Sequence, residues 1–574
     1  MSRTLHRRLA RVASFALAFV VAGTTARAQF PITRVSVDGA GNEGNDASGY
    51  AFGHCGGVSS DGRFVAFTSK AWNLVAGDTN GCDDVFVRDR VAGTTVRVSV
   101  DSSGVQGNGA SLVPSISSDG RFVTFMSRAD NLVANDANHF DDVFRHDRDP
   151  DGNGIFDEGN GVTERVSVDS AGVEGDFASS DSSLSADGAL VVFSSLATNL
   201  VSGDSNQRMD VFLRDCVAGT TARITKGSNG DSFMPSISGD GKFIAFTSWA
   251  SSLVAGDTNN YMDVFVYDRT AKTMTRVSVD SAGNQAWGQG PSPLSSDGSI
   301  VAFTSDASNL VAGDTNGTSD VFVHDLASGA TTRESVGPGG AQFDDFSLSF
   351  SLSGDGNVVT LMRYVLKMGD EGLYMADFRP FARDRAAADL LALNVNCGGT
   401  PANSDAMFPS VSADGTIVAF MGFADDLVAD DTNGTGDVFV YDRTIVEPDA
   451  TWSNYGAGFP GTLGIPTLGL SADPVLGTTR KLDVGNSSGT FAVGFLLVGS
   501  NSASLGTTRG GTILVDFLAI EPIALWPGGL SLATALPLDP AWCGASAYVQ
   551  AIELDAGAQY GLSFTPGLQA TLGK

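Results

Sequence analysis

One short pattern, Ser-x-Asp-Gly-x-x-Val-x-Phe, recurs in recognisable form seven times along this 574-residue chain. Its Asp-Gly pairs are Asp61-Gly62, Asp119-Gly120, Asp187-Gly188, Asp240-Gly241, Asp297-Gly298, Asp355-Gly356 and Asp414-Gly415. The spacings between successive Asp residues are 58, 68, 53, 57, 58 and 59. Near-equal units of this size bury their apolar surface against their neighbours, so the architecture is an array or a ring.

Each unit reads as four strands. In the second, Val113–Ser117 is a short β-rich run, and Asp119-Gly120 is a two-residue hairpin signal, since Gly accepts the positive φ of the turn. Arg121–Ser127 carries apolar residues on both faces, as a strand covered on both sides does. Asp142–His146 and Arg165–Val168 are the third and fourth strands. Four-stranded units in tandem predict a β-propeller with one blade per unit. The fourth-strand motif Arg-Val-Ser-Val also occurs at Arg34–Val37, ahead of the first Asp-Gly pair. The seventh unit ends after its third strand, Asp437–Asp442. The N-terminal strand is therefore expected to complete the last blade and hide both open edges.

The predicted fold class is all-β: a seven-bladed propeller over 29–450, closed by the N-terminal strand, then a small β-sandwich over 451–574. Beyond about Thr451 the repeats stop, and Gly and Pro turn signals separate short β-type runs.

Composition fits this reading. Only nine of the 65 acidic residues are Glu, so Asp dominates, and Asp suits turns rather than helix interiors. Against 35 basic residues the net charge is −30, which leaves no basic footprint for nucleic acid. With 42% hydrophobic residues, global disorder is excluded.

The motif Ser-x-Asp-Gly-[Arg/Lys]-Phe-[Val/Ile]-x-Phe-x-Ser is clearest at Ser59–Ser69, Ser117–Ser127 and Ser238–Ser248, each followed by an Asp-Val-Phe strand. From Phe30 to about Arg443 the chain resembles the TolB-type, WD-repeat-like propellers of exported bacterial proteins. The resemblance implies the fold. TolB itself carries an α/β domain ahead of its propeller, which the predicted mature chain leaves no room for, so TolB's partners are not carried over.

Residues 1–28 read as a secretory signal peptide. Arg3, Arg7, Arg8 and Arg11 are basic, Val12–Gly23 is a short apolar core, and Ala26-Arg27-Ala28 is the cleavage pattern. The expected product begins at Gln29 and is exported, to the periplasm, the medium or the cell surface. No later segment reads as a membrane span, and a monomer is expected.

Two loop types attract attention. Six units join strands two and three through a loop with Asp, Asn and Asp at i, i+2 and i+6, such as Asp78, Asn80 and Asp84. These are either side-chain-bonded turns or cation sites. The second unit also carries an insertion between strands three and four, Asp149-Pro150-Asp151-Gly152-Asn153-Gly154-Ile155-Phe156-Asp157. Its alternating oxygens match the front of an EF-hand-like loop and predict structural calcium at Asp149, Asp151, Asn153 and Asp157. It resembles the calcium loops of thrombospondin-type and dockerin-type modules, although position 12 is Asn160 rather than Glu.

Catalytic signals are sparse. After the leader only His54, His139, His146 and His324 remain, and none pairs at metal-ligand spacing. Gly485–Gly489 matches Gly-x-Ser-x-Gly without a strand-to-helix elbow, and no His follows it. No catalytic residue is assigned. The strand 2–3 loops and the blade connectors share one end of the ring, the expected binding face for a protein or glycan ligand. Cys55 and Cys82 fall on that face of the first unit, close enough in topology to pair. Binding or scaffolding is the expected function. The rival is an extracytoplasmic hydrolase or lyase that acts on polysaccharide through carboxylates of that face. The segments Tyr455–Gly461 and Ala551–Gly573 resemble a C-terminal module of exported environmental bacterial proteins. That module is read as an accessory β-domain or a surface-attachment device.

Overall fold

The computed structural model describes residues 31–49, 56–368, 374–396, 399–445, 449–508, 511–536 and 542–573. The predicted leader, His54 and Cys55 lie outside them. Every regular element among the described residues is a strand, apart from short 3₁₀ turns. No helix of the described residues is long and apolar enough to cross a membrane.

The described residues between 31 and 445 form seven antiparallel sheets, one per Asp-Gly unit. Blade 1 runs Gly56–Val58, Phe64–Ser69, Asp84–Asp89 and Thr94–Arg97 from its inner to its outer edge. Blades 2, 3 and 4 repeat this order from Ser111, Ser179 and Ser232. In blade 7, Ile32–Arg34 pairs antiparallel with Asp437–Asp442 as the fourth strand, so the chain's first strand closes the last blade as expected.

The repeated Phe residues explain the packing. Phe67 and Phe86 sit opposite one another on strands two and three of blade 1, with ring centroids 5.8 Å apart. Equivalent pairs occur at Phe125–Phe144, Phe193–Phe212, Phe246–Phe265, Phe303–Phe322 and Phe420–Phe439. All are buried, and each shares a cluster with strands of a neighbouring blade. At about 150–250 Å² buried per ring, they are the largest apolar contribution each repeat makes.

The hairpins supply the ring itself. Ser60 N–H donates to Ser118 O (2.9 Å), Ser118 to Ala186 (3.0 Å), Ala186 to Gly239 (3.0 Å) and Asp240 to Ser296 (3.2 Å). Ser296 then donates to Gly354 (2.8 Å), Gly354 to Ala413 (2.8 Å), and Asp414 back to Ser60 (3.1 Å). Seven backbone bonds thus link seven hairpins in a closed circle, and the sheets form a seven-bladed propeller.

Two blades depart from the expected pattern. Blade 5 has three strands rather than four. Its inner segment makes only isolated bridges, Gln289 with Thr304 and Leu294 with Val301. Pro291 and Pro293 lie between them, and proline cannot donate to a ladder. Blade 6 has no Asp/Asn loop. Its middle strands, Val358–Met368 and Tyr374–Asp384, run on as one long hairpin.

Residues 451–573 form two further antiparallel sheets. The larger orders Thr451–Tyr455, Gly567–Thr571, Ser546–Leu554, Ala492–Gly506 and Thr512–Leu525, and the smaller has three strands. Leu468, Leu482 and Val484 of the smaller pack into one core with Leu496, Val498, Val549 and Leu568 of the larger, a two-layer β arrangement.

Candidate functional site

The central channel is built by the inner strand of every blade. Its cavity of about 210 Å³ is lined mainly by Pro, Ser and Gly residues, among them Gly57, Pro114, Ser182, Pro235, Ser292 and Pro409. Proline suits these inner edges because an unpaired edge strand then offers fewer free donors. In blades 2, 3, 4 and 7 the inner strand bulges, with positive φ at Val113, Asp181, Met234 and Phe408. Asp181 is the single charged residue among those that line the cavity.

The six Asp/Asn loops stand around one end of the channel, and each is tied to the arginine of a fourth strand. Arg97 Nη1 lies 3.3 Å from Asp78 and 3.4 Å from Asp84. Ser99 Oγ donates to Asp84 at 2.6 Å. Asn80 Nδ2 donates to Asp84 at 3.0 Å and to the Gly107 carbonyl of the next connector at 2.9 Å. The same arrangement holds Asp136 and Asp142 on Arg165, Asp204 and Asp210 on Arg223, and Asp257 and Asp263 on Arg276. It also holds Asp314 and Asp320 on Arg333, and Asp431 and Asp437 on Arg34. The Arg-Val-Ser motif is therefore the partner of the loops: Arg neutralises both carboxylates and the Ser hydroxyl, or Thr225 in blade 3, caps the deeper one. With a guanidinium already between the acids, the geometry favours the turn reading of these loops.

A further ligand to these clusters comes from the connectors. Gln106 Oε1 accepts the Thr79 N–H, and Gln285 and Gln342 do the same for Thr258 and Thr315. In blades 2 and 7 the position is Glu174 and Glu43, each 2.8 Å from its arginine. Those two blades gather three carboxylates within 4.8 Å of one another, Asp136, Asp142 and Glu174, and Glu43, Asp431 and Asp437. The shared position was open to detection, because the motif Gly-x-[Glu/Gln] follows each complete Arg-x-Ser strand except that of blade 3 and the divergent connector of blade 6.

The excess acid has a pH signature. Burial pushes Asp136, Asp263 and Asp431 up to about 6, from the ordinary aspartate value of 3.8. The folded protein thus takes up protons between about pH 6 and pH 4 that the unfolded chain does not. Stabilisation from this source is full below pH 4 and lost as pH rises through 6. Hydrogen bonds hold Asp89, Asp297 and Asp414 below the usual range despite partial burial, and these oppose folding only in stronger acid. Thermal unfolding should show a higher midpoint at pH 5 than at pH 7.5, and a midpoint that falls steadily from pH 7.5 to pH 5 would contradict the assignment.

The insertion of blade 2 is wound as the pattern suggests in its first half. Asp149 accepts the Asn153 N–H at 3.0 Å and the Gly154 N–H at 2.9 Å. Asn153 Nδ2 donates to Asp151 at 3.1 Å and to Glu158 at 2.7 Å. Asp157 is engaged elsewhere, in a two-pronged ion pair with the fully buried Arg148. Arg148 also donates to Gly120 O at 2.7 Å and lies against the rings of Phe64 and Phe156, which touch each other edge to face. This arginine fastens the insertion to blade 1.

Among the described residues the histidines do not converge. His146 is buried beside Thr163, 2.8 Å from its Oγ1, and burial lowers its pKa to about 4. His324 pairs likewise with Thr331, and burial lowers it too. Ser487 of the Gly-x-Ser-x-Gly segment donates to the buried Glu553 at 2.6 Å, a tie between loop and strand with no histidine. Cys82 is a free thiol within 3.7 Å of the Asn80 carbonyl.

The two ends of the propeller differ in what they expose. Trp72, Phe140, Phe177, Trp249, Tyr261, Phe346 and Phe423 are the exposed aromatic residues of the described propeller, and all lie in strand 2–3 loops, in connectors or at the adjoining start of an inner strand. The opposite end exposes only aliphatic residues of this kind, Val91, Ile155, Val162 and Val217. Sequence reasoning chose the loop end from topology but missed this aromatic asymmetry.

The chain's structural likenesses are to propellers. They include a TolB protein of Agrobacterium tumefaciens, 14% identical, with a TM-score of 0.30 over 50% of this chain and 80% of that one. An oligogalacturonate lyase of Vibrio parahaemolyticus is 12% identical, with a TM-score of 0.43 over 72% and 93%. The Dos1 propeller is 10% identical, with a TM-score of 0.38 over 73% and 96%. No family model matches the sequence, and no curated protein does.

Proposed function

We propose that this chain is an exported binding scaffold whose ligand surface is the loop end of the propeller. The observation that carries the reading is that the exposed aromatic side chains of the described propeller are confined to that end. Exposed aromatics on otherwise polar loops mark contact surfaces, because their apolar area gains from burial by a partner. The loops beneath them are braced by Arg–Asp clusters and need little ordering on binding.

The test is capture from the native envelope fraction, with and without calcium, on the wild-type chain and on Trp249→Ala/Phe423→Ala. A component held by the wild type and lost by the variant supports the loop end. Equal capture by both places the surface elsewhere.

Calcium belongs to the same reading. Asp149, Asp151 and Asn153 would hold it, with Asp157 sharing its oxygens between Arg148 and the ion. Titration calorimetry of the mature chain should give a calcium heat that Asp151→Ala abolishes. Absence of any heat in the wild type would remove calcium from the account.

A further inference from the structure

We propose that the ligand of the loop end is an uncharged polysaccharide, bound by aromatic side chains spaced around the mouth of the central channel. The inference rests on the binding reading above and names its ligand class.

Position comes first. Trp249 directly follows Ser248, which pairs with Ser232 at the start of an inner strand. Its N–H donates to Asp231 O at 2.9 Å. Phe423 stands in the same relation to blade 7, with its N–H on Asp405 O at 2.9 Å. Phe177 lies just ahead of the inner strand of blade 3, and Phe346 begins that of blade 6. Four blades thus each place one exposed ring at the channel mouth.

The spacing of these rings distinguishes the ligand. A protein partner needs a continuous apolar centre with a polar rim. Here the rings sit in separate blades with carboxylates between them. Asp176 precedes Phe177, and Asp345, which is ion-paired with Arg363, precedes Phe346. Phe423 is followed two residues on by the exposed Asp425. The one close pair, Phe140 with Phe177, joins blades 2 and 3 at 4.5 Å between centroids.

A sugar ring matches such a surface. One face of a pyranose presents C–H groups, which suit the negative face of an aromatic ring. Its rim presents hydroxyls, which donate to carboxylate and amide oxygens. Different sugars along a chain then meet the rings of different blades. Charge selects within the class: at a net charge of −30, with carboxylates between the rings, the surface repels a polyanion. Below the mouth, the channel is lined by Ser and Pro with Asp181 alone charged, again a setting for hydroxyls rather than for ions.

Affinity electrophoresis of the full mature chain tests the proposal. The gels would contain hydroxyethyl cellulose, laminarin, galactomannan, dextran or, as the acidic control, polygalacturonate. The expected result is retardation by at least one uncharged polymer. Trp249→Ala and Phe423→Ala should each weaken it at least tenfold, whereas Val217→Ala on the opposite end leaves it unchanged. Both aromatic side chains are exposed, and circular dichroism matching the wild type confirms that the variants fold. Retardation by polygalacturonate alone, by none of the polymers, or equally in the aromatic variants overturns the proposal. If no polymer retards the chain while envelope capture is still lost in Trp249→Ala/Phe423→Ala, the loop-end reading stands and the polysaccharide does not.

Discussion

Arg34→Ala should destabilise the protein by about 3–5 kcal/mol, the range for removing one partner of a buried ion pair. The side chain is 8% exposed and lies 2.8 Å from Glu43, 3.1 Å from Asp437 and 3.4 Å from Asp431. It also donates to the Asp430 carbonyl at 2.9 Å. Without it, three carboxylates face one another with no counter-charge. The location adds to the effect. Arg34 belongs to the strand that closes blade 7, so the cluster joins residues 403 positions apart. Arg97→Ala removes the same group from two carboxylates of a single continuous blade and should cost less. Urea unfolding of the mature chain measures both. A loss below about 1 kcal/mol for Arg34→Ala, the value of an exposed pair, would show that the cluster does not secure the closure.

A second large effect is expected at Gly62. Its φ is +71°, and a Cβ there would overlap the side chain of Ile417, in the blade across the closure. Gly77 has a similar φ of +78° with nothing within 4 Å of a Cβ. Gly77→Ala therefore carries the backbone term alone, about 1 kcal/mol. Gly62→Ala carries that term plus overpacking of about 1–3 kcal/mol against a buried neighbour. The difference between the two midpoints isolates contact between blades. Equal losses would mean that the closure yields freely to a methyl group.

The glycines also show how far the sequence could be read. Asp-Gly reads as a hairpin, and each pair is one. The local signal cannot reveal that six of the seven glycines also face the preceding blade, as Gly120 faces Phe64 and Gly188 faces Phe122, with Gly62 facing blade 7. That contact depends on closure and has no local signature. Blade count and the closing strand were readable because the Arg-Val-Ser-Val motif at Arg34 is displaced from its unit. The partnership of that motif's Arg and Ser with the loop acids was not, since it links residues some 13 to 15 apart through a strand pairing. Blade 5 was read as four strands because its Asp-Gly signal repeats like the others, whereas Pro291 and Pro293 break the ladder of its inner segment. For the insertion, oxygen spacing suggested four equivalent ligands, but Arg148 lies immediately before the loop and claims Asp157. The aromatic rim escaped because, of the four rings at the channel mouth, only Trp249 and Phe423 share a repeat position, while Phe177 and Phe346 lie at others.

The closed circle of backbone bonds also imposes an order of assembly. Six of its seven links join hairpins that are neighbours in the chain, and each can form as soon as the later hairpin is made. The seventh, from Asp414 to Ser60, cannot form until almost the whole propeller exists. The pairing of Ile32–Arg34 with Asp437–Asp442 waits equally long. The strand Ile32–Arg34, made before all seven units, is thus among the last to dock, and until then blade 7 offers an open edge to any passing strand. The vulnerable species is a nearly complete arc, and the same closure that protects the finished ring is what a folding chain lacks longest.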